Sequence, residues 1–176
     1  FAAAAAIAGE LEIYGLPEDS VQGDLGFLDI LKRMGAKVIR QENSVVVKKG
    51  ELHGISVDMN AMPDAAMTLV PMAMFTDGPV KIENIASWRV KETDRIDAMV
   101  KEMSKLGVKV LSGEDWIMVD ASSRNSCTPV FDTYNDHRMA MCMSLIAFDR
   151  EVVINDPDCS NKTFPGYFKL LNSVIR

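Results

Sequence analysis

Imidazole and thiol are scarce in this sequence. It holds two histidines, His53 and His137, and three cysteines, Cys127, Cys142 and Cys159. An odd number of cysteines with no CxxC pair argues against a disulfide framework and for a reducing compartment, the cytoplasm. Two histidines without ligand spacing predict no metal centre. Long apolar runs are missing too. The longest, "AAAAAIAG" and "MAMCMSLIAF", fall far short of the ~18 residues of a membrane span. No membrane partner is therefore expected, and no signal-peptide pattern is visible. Basic excess is also lacking: the formal net charge is −6. That excludes nonspecific nucleic-acid binding, which wants a basic surface. Small anionic ligands remain compatible, because a cleft can be locally cationic in an acidic protein.

What is present is an ordinary globular composition, 48% hydrophobic and 25% charged over 176 residues. That length suits one domain with a real core. The first residue is Phe1, inside an alanine-rich run that no Ser, Thr, Asp or Asn cap precedes. Helices normally open on such a cap, so the chain is expected to be a piece of a longer protein.

One pattern occurs three times. The segments "FAAAAAIAG" (1–9), "PDAAMTLVPMAMF" (63–75) and "DHRMAMCMSLIAF" (136–148) are apolar on every side, as helices buried all round are. Each precedes a β-rich run: "ELEIYG", "PVKIEN" and "EVVIND". Each run leads to a polar-faced helix, expected over 24–35, over 96–106 and over 164–175. In the second, Ile96, Met99, Val100, Met103 and Leu106 follow the helical period, and Gly107 suits its C-terminal stop. Asp64 and Asp136 lie 72 residues apart, as do Gly35 and Gly107. The fold class predicted is α/β with pseudo-threefold repetition, three buried helices alternating with three amphipathic ones. A doubly wound parallel sheet is the alternative; it would not make one helix class wholly apolar.

Polar residues crowd at four turns or helix starts. Asp64 follows Pro63 at a first helical turn, where a carboxylate complements the helix dipole. In "YNDHRMAM", His137 and Arg138 occupy the start of a helix, with Asn135 or Asp136 as cap. A cation there is electrostatically misplaced, so a structural carboxylate or a bound anion should compensate. The stretch "SWRVKETDR" (87–95) repeats the anomaly with Lys91 and Arg95, beside Glu92 and Asp94. It reads either as an ion-pair network or as an acid/base site beside a phosphate clamp. Lys162 precedes the last helix. Alone it would be a solvated lysine; with Arg95 and Arg138 at equivalent ends of repeated units, it reads as a third cation on one face. Transfer chemistry on phosphate- or carboxylate-bearing small molecules, without a metal, suits such a face.

The stretches "MPDAAMT" (62–68), "WRVKETDR" (88–95), "TYNDHRMAM" (133–141) and "KTFPGY" (162–167), in this order and spacing, resemble the enolpyruvyl transferase family, in the branch that makes 5-enolpyruvylshikimate 3-phosphate. The resemblance runs through essentially the whole chain. It implies an inside-out α/β domain of three βαββαβ units, with buried helices at the centre and sheets outside. Residues 1–176 would be the C-terminal domain, lacking the N-terminal domain and the short N-terminal segment that completes this one. It also implies phosphoenolpyruvate and shikimate 3-phosphate as substrates, no cofactor, and a place in the shikimate pathway of aromatic amino-acid biosynthesis.

Residue by residue, the resemblance assigns Asp64 to the target hydroxyl, as proton acceptor. Lys91 matches a contact to shikimate 3-phosphate, and Glu92 the second acid/base carboxylate. Arg95, Arg138 and Lys162 match the phosphoenolpyruvate clamp, and His137 stands beside it among the catalytic candidates. Ser87 stands where the family often has Asn; serine is shorter, which puts its contact to the shikimate ring in question. The implied chemistry is addition of the 5-hydroxyl to C2 of phosphoenolpyruvate, then elimination of phosphate. Two other readings stay open: an anion-binding half-domain without catalysis, and the sister branch acting on UDP-N-acetylglucosamine.

Overall fold

The fold is that of a computed structural model, which describes every residue except Glu18, Asp19, Val21 and Arg176. Part of the turn expected after the first strand falls on those residues and lies outside the described residues. No helix among the described residues is long and apolar enough to cross a membrane.

Three segments form the buried centre. The first is α1 (Ala2–Ala8), whose Ala3, Ala4, Ala5, Ala6 and Ile7 are all buried. The second is α3 (Pro63–Ala66) followed by α4 (Leu69–Met72) and a 3-10 turn, Ala73–Phe75. The third is α6 (His137–Met143), continued by a 3-10 turn, Ser144–Phe148. The expected single helix over 63–75 is broken near Met67. Pro71 has no N–H to donate to the Met67 carbonyl, and Val70 N bonds that oxygen instead at 3.3 Å.

Amphipathic helices cover this centre: α2 (Phe27–Met34), α5 (Arg95–Ser104) and α7 (Tyr167–Val174). On α5 the buried face holds Ile96, Met99 and Met103, as the period predicts, and also Arg95 and Glu102, which it does not. The turns after α2 and α5 both use a glycine with positive φ, +113° at Gly35 and +71° at Gly107. At Gly35 an added Cβ would lie 2.1 Å from the Glu51 carbonyl oxygen, so only glycine fits.

The strands are β1 (Glu10–Tyr14), β2 (Lys37–Arg40), β3 (Ser44–Lys48), β4 (Ile55–Asp58), β5 (Val80–Glu83), β6 (Lys109–Ser112), β7 (Ile117–Asp120), β8 (Val130–Phe131) and β9 (Val153–Ile154). They form sheets in the orders β1-β3-β2, β4-β5-β7-β6 and β8-β9. The β4/β5 and β8/β9 pairs are parallel, each closed by a crossover through a buried helix, and the rest are antiparallel. Thus β1-β3-β2 repeats β5-β7-β6, and β8-β9 repeats β4-β5. The mixed α/β class and its threefold repetition hold, and the doubly wound alternative does not. The order inside a unit differs from the expected βαββαβ: the complete copy, β4 to β7, runs β–α–β–α–β–β. The parallel β4/β5 pair demands a crossover helix between its strands, while the antiparallel β6/β7 pair needs only a hairpin.

β8 and β9 are each two residues long, shorter than the runs expected over 129–135 and 151–156. β5 pairs on both sides, with β4 and with β7, whereas β9 has a ladder on one side only among the described residues. A two-stranded pair gains little from a single ladder.

Between β3 and β4 the chain is fastened by His53. Its N–H donates to the Met34 carbonyl at 2.7 Å, and its Nδ1 lies 2.6 Å from Asp77 Oδ2. Hydrogen bonding to Asp77 raises the His53 pKa above its ordinary 6.5. That contribution is fully present below pH 6.5 and is lost as pH rises through the folded value. The melting-temperature gap between the native protein and His53→Gln should therefore be wider at pH 6 than at pH 9. A gap independent of pH would show that His53 titrates as a free imidazole.

Candidate active site

The cluster forms where chain segments leave the C-terminal ends of parallel strands. Asp64 follows β4, Arg95 follows β5, Arg138 follows β8 and Lys162 follows β9. Such strand ends are the usual place for ligand sites in α/β folds. Local anchors fix each segment. Trp88 is fully buried, and its indole N–H donates to the Pro63 carbonyl at 2.7 Å, tying the loop before α5 to the start of α3. Asp94 caps α5, accepting from Asp97 N at 3.2 Å.

At the centre is Arg95, 1% exposed. Its Nε donates to Asp136 Oδ2, its Nη1 to Asp64 Oδ1 and its Nη2 to Glu92 Oε2, each at 2.8 Å. One guanidinium thus gathers three carboxylates from three helix starts. Arg138 Nη2 reaches Asp64 Oδ2 at 3.0 Å, and Lys91 Nζ lies 3.7 Å from Asp64 Oδ1. Lys162 closes the rim, its Nζ 3.4 Å from the Asn135 carbonyl. Arg95 and Asp136 lie inside, while Lys91, Glu92 and Lys162 are exposed. A cavity of about 200 Å³ opens beside Asp64 and Arg138, with Thr68 and Tyr167 in its wall.

The charges set each other's protonation. Burial alone would raise the Asp64 pKa, but Arg138, Arg95 and Lys91 outweigh it and hold the carboxyl below its usual value. Asp64 is therefore ionised at neutral pH. His137 is buried, and desolvation pushes its pKa below 6.5, so its ring is neutral at pH 7. Its Nδ1 lies 3.7 Å from Glu92 Oε1 and 3.8 Å from Asp136 Oδ1, beyond hydrogen-bond reach. It finds no hydrogen-bond partner among the described residues.

Seven of the eight expected site residues thus gather on one face: Asp64, Lys91, Glu92, Arg95, His137, Arg138 and Lys162. Ser87 differs. It is exposed on the 3-10 turn Ala86–Val90 and takes no part in the cluster's hydrogen bonds. The stretch "SWRVKETDR" divides into two halves. Arg89 pairs outward with Asp94 at 2.9 Å and Asp97 at 2.7 Å and donates to Gly113 O, a structural network. Lys91, Glu92 and Arg95 face the cluster.

Asp136 is a residue that the sequence marks only as a candidate cap. It does cap α6, accepting from Arg138 N at 2.8 Å, and is fully buried against Arg95. It is the structural carboxylate that the cations at this helix start required. Nothing in "YNDHRMAM" separates a buried capping aspartate from a solvated one. Glu92, Asp136 and His137 also offer ligand atoms within 4.8 Å of one another. Arg95 already occupies both carboxylates, so a divalent cation would have to displace a guanidinium. The donor set fits an ion-pair cluster better than a metal.

Fold and cluster together define an α/β domain on the enolpyruvyl transferase plan, with a charged cluster at the ends of its parallel strands. A solved EPSP synthase of Acinetobacter baumannii superposes with a TM-score of 0.81 at 23% identity, over 98% of this chain and 43% of that one. The enolpyruvyl transferase NikO of Streptomyces tendae gives 0.75 at 17% identity, over 98% and 41%. At sequence level, residues 1–171 match the family described as EPSP synthase (3-phosphoshikimate 1-carboxyvinyltransferase). The 3-phosphoshikimate 1-carboxyvinyltransferase of Marinomonas sp. (strain MWYL1) is 52% identical over 176 residues, 99% of this chain. The chain belongs to the EPSP synthase family, and it spans 41% of that relative's length.

Removing Asp136 would strand a buried guanidinium and uncap α6. Asp136→Ala in the full-length protein should cost about 3–5 kcal/mol of unfolding free energy, read from urea denaturation. Asp136→Asn keeps an acceptor for Arg138 N and should cost less. A loss under about 1 kcal/mol for the alanine variant, the worth of a surface pair, would mean that this ion pair does not hold α5 to α6.

Proposed function

We propose that residues 1–176 form the C-terminal domain of an EPSP synthase and contribute half of its active site. The whole enzyme would transfer the enolpyruvyl group of phosphoenolpyruvate to the 5-hydroxyl of shikimate 3-phosphate, releasing phosphate, in the cytoplasm. The observation that carries this reading is the convergence of Asp64 and Glu92 on the buried Arg95, with Lys91 and Arg138 alongside. Addition needs a base for the hydroxyl proton and an acid to protonate C3; elimination then takes a C3 proton and expels phosphate. Asp64 and Glu92 are two carboxylates with separate surroundings, suited to divide those proton transfers. Arg95, Arg138 and Lys162 would hold the phosphate and carboxylate of phosphoenolpyruvate. His137, neutral and unpartnered at Nδ1, would exchange a hydrogen bond with the reacting ligand. Lys91 and Asp64 would face shikimate 3-phosphate. Ser87 would join them only if the loop 86–94 shifts on binding.

Ligand anions and the acid/base carboxylates draw on the same cations. An anion that takes up Arg138 relieves part of the hold on Asp64, so its pKa rises toward that of a useful base. Ligand binding would in this way activate the base.

The N-terminal domain of the same enzyme would complete the site. A groove of about 450 Å³ between Arg150 and Phe168, beside Val152 and Ile154, supports a missing neighbour. Val152 and Ile154 of its wall belong to the β9 segment, and β9 has no antiparallel partner among the described residues, whereas β1 and β5 each pair with one. The short N-terminal segment of the whole protein would fill it.

In the full-length enzyme, Glu92→Gln should lower turnover at least about a hundredfold, the worth of a positioned acid/base group. Its melting temperature should stay nearly unchanged, because the amide still accepts from Arg95. Turnover within about threefold of native would sink the acid/base role and leave Glu92 as an ion-pair partner worth about 0–1 kcal/mol. Arg138→Ala should chiefly raise the phosphoenolpyruvate KM. Phosphate release with UDP-N-acetylglucosamine but not with shikimate 3-phosphate would move the enzyme to the sister branch.

A further inference from the structure

Behind the cluster lies a second buried carboxylate that the chemistry above does not use. Glu102 stands two helical turns after Arg95 on the same face of α5 and is fully buried. A buried carboxylate must be paired and hydrogen-bonded or it neutralises. Its Oε1 accepts from Tyr134 OH at 2.6 Å, and its Oε2 accepts from Asp132 N at 3.0 Å and from Lys105 Nζ at 2.7 Å. Lys105 Nζ also donates to the Val130 carbonyl at 2.9 Å and pairs with Asp132 Oδ2 at 3.0 Å. All of these contacts except the one to Lys105 itself end on β8 or on the residues after it, which lead into α6.

That segment carries strained backbone. Tyr134 and Asn135 are consecutive non-glycine residues with φ of +55° and +54°. Side chains rarely adopt this region, and two in succession persist only where surrounding contacts over-determine them. The Asp136 N–H closes the turn on the Thr133 carbonyl at 2.9 Å, and Glu102 at one end and Arg95 at the other, where Asp136 is held, anchor it. One helix therefore pins both ends of the residues 132–136. The backbone leaves this pinned stretch directly into His137 and Arg138, and Arg138 N is bonded to Asp136 Oδ1.

We propose that Glu102 and Tyr134 are positioning residues for anion binding, holding the left-handed Tyr134–Asn135 step so that Arg138 points at the ligand. Neither touches the reacting atoms. The inference rests on the reading of Arg138 as part of the phosphoenolpyruvate clamp, and the experiment separates the two.

The test is a double-mutant cycle in the full-length enzyme with Tyr134→Phe and Arg138→Ala, reading kcat, KM and the calorimetric Kd for phosphoenolpyruvate. Tyr134→Phe removes one hydroxyl. It should weaken phosphoenolpyruvate binding by about fivefold or more while kcat changes by less than about twofold. In the Arg138→Ala background it should weaken binding by less than about 1.5-fold, because residues acting through one another are not additive. Unchanged affinity for Tyr134→Phe overturns the proposal. So does an equal loss in both backgrounds, which is what general destabilisation gives. Arg138→Ala without effect on phosphoenolpyruvate would overturn the clamp reading itself. Should Tyr134→Phe fail to fold, Glu102→Gln, which keeps shape and one acceptor oxygen, takes its place in the cycle, and the same changes in affinity support or overturn the proposal.

Discussion

A guanidinium withdrawn from water is the constraint around which this domain is arranged. Arg95 is always charged, and its desolvation is large unless every donor finds an acceptor. It is also the first residue of α5, where the helix dipole opposes a cation. Three carboxylates answer both problems. Because Asp64, Glu92 and Asp136 come from three different places in the chain, satisfying Arg95 fixes the starts of α3, α5 and α6 relative to one another. An ion-pair cluster of this kind adds less stability than an apolar core would. What it supplies is a unique geometry, as a site that grips an anion on the proposed reading would require.

The repeat explains why those starts can meet at all. Each parallel strand pair carries its crossover helix away from the strand's C-terminal end, so the residues after β4 and β8 occupy equivalent positions. Between them the antiparallel hairpins, β2 with β3 and β6 with β7, add sheet without adding helix starts. Alanine and methionine dominate the buried segments because helices packed on all sides need small or adaptable side chains. The polar face of the domain is thus a by-product of its apolar centre: the centre fixes where helices begin, and the charges occupy those beginnings.

This logic sets what could be read from the sequence. Periodicity and the 72-residue spacing point to three buried and three covering helices, since both follow from which side chains avoid water. The charged site residues are legible through an electrostatic anomaly: cations at helix starts, where they are unwelcome without a partner. The partner is not legible. Asp136 looks like any capping aspartate, and its burial depends on Arg95, forty-one residues earlier in the chain. Glu102 looks like a solvated charge on an amphipathic helix, because its partners come from a separate segment of the chain. The break near Met67 is written in Pro71, and the alternation of helix and strand within a unit depends on which strands pair in parallel, a long-range choice. Ser87 rests on likeness of motif alone, and the turn that carries it leaves the residue exposed to solvent.

The placement of like functions on shared cations has a consequence for how such a site would work. Asp64 is bound to Arg95 through one oxygen and to Arg138 through the other. While both contacts last, each oxygen faces a guanidinium and its proton affinity is low. On the proposed reading, the ligand's phosphate and carboxylate are stronger partners for the same guanidinium groups, being able to engage them in bidentate fashion. Arg138, half-buried and free of Asp136's carboxylate except through its backbone, can turn to a ligand; Arg95, buried and held by Asp136, cannot leave. The two arginines therefore divide the labour. On that reading Arg95 would hold the scaffold, and Arg138 would be the cation whose change of partner passes ligand binding on to Asp64 as a change in basicity.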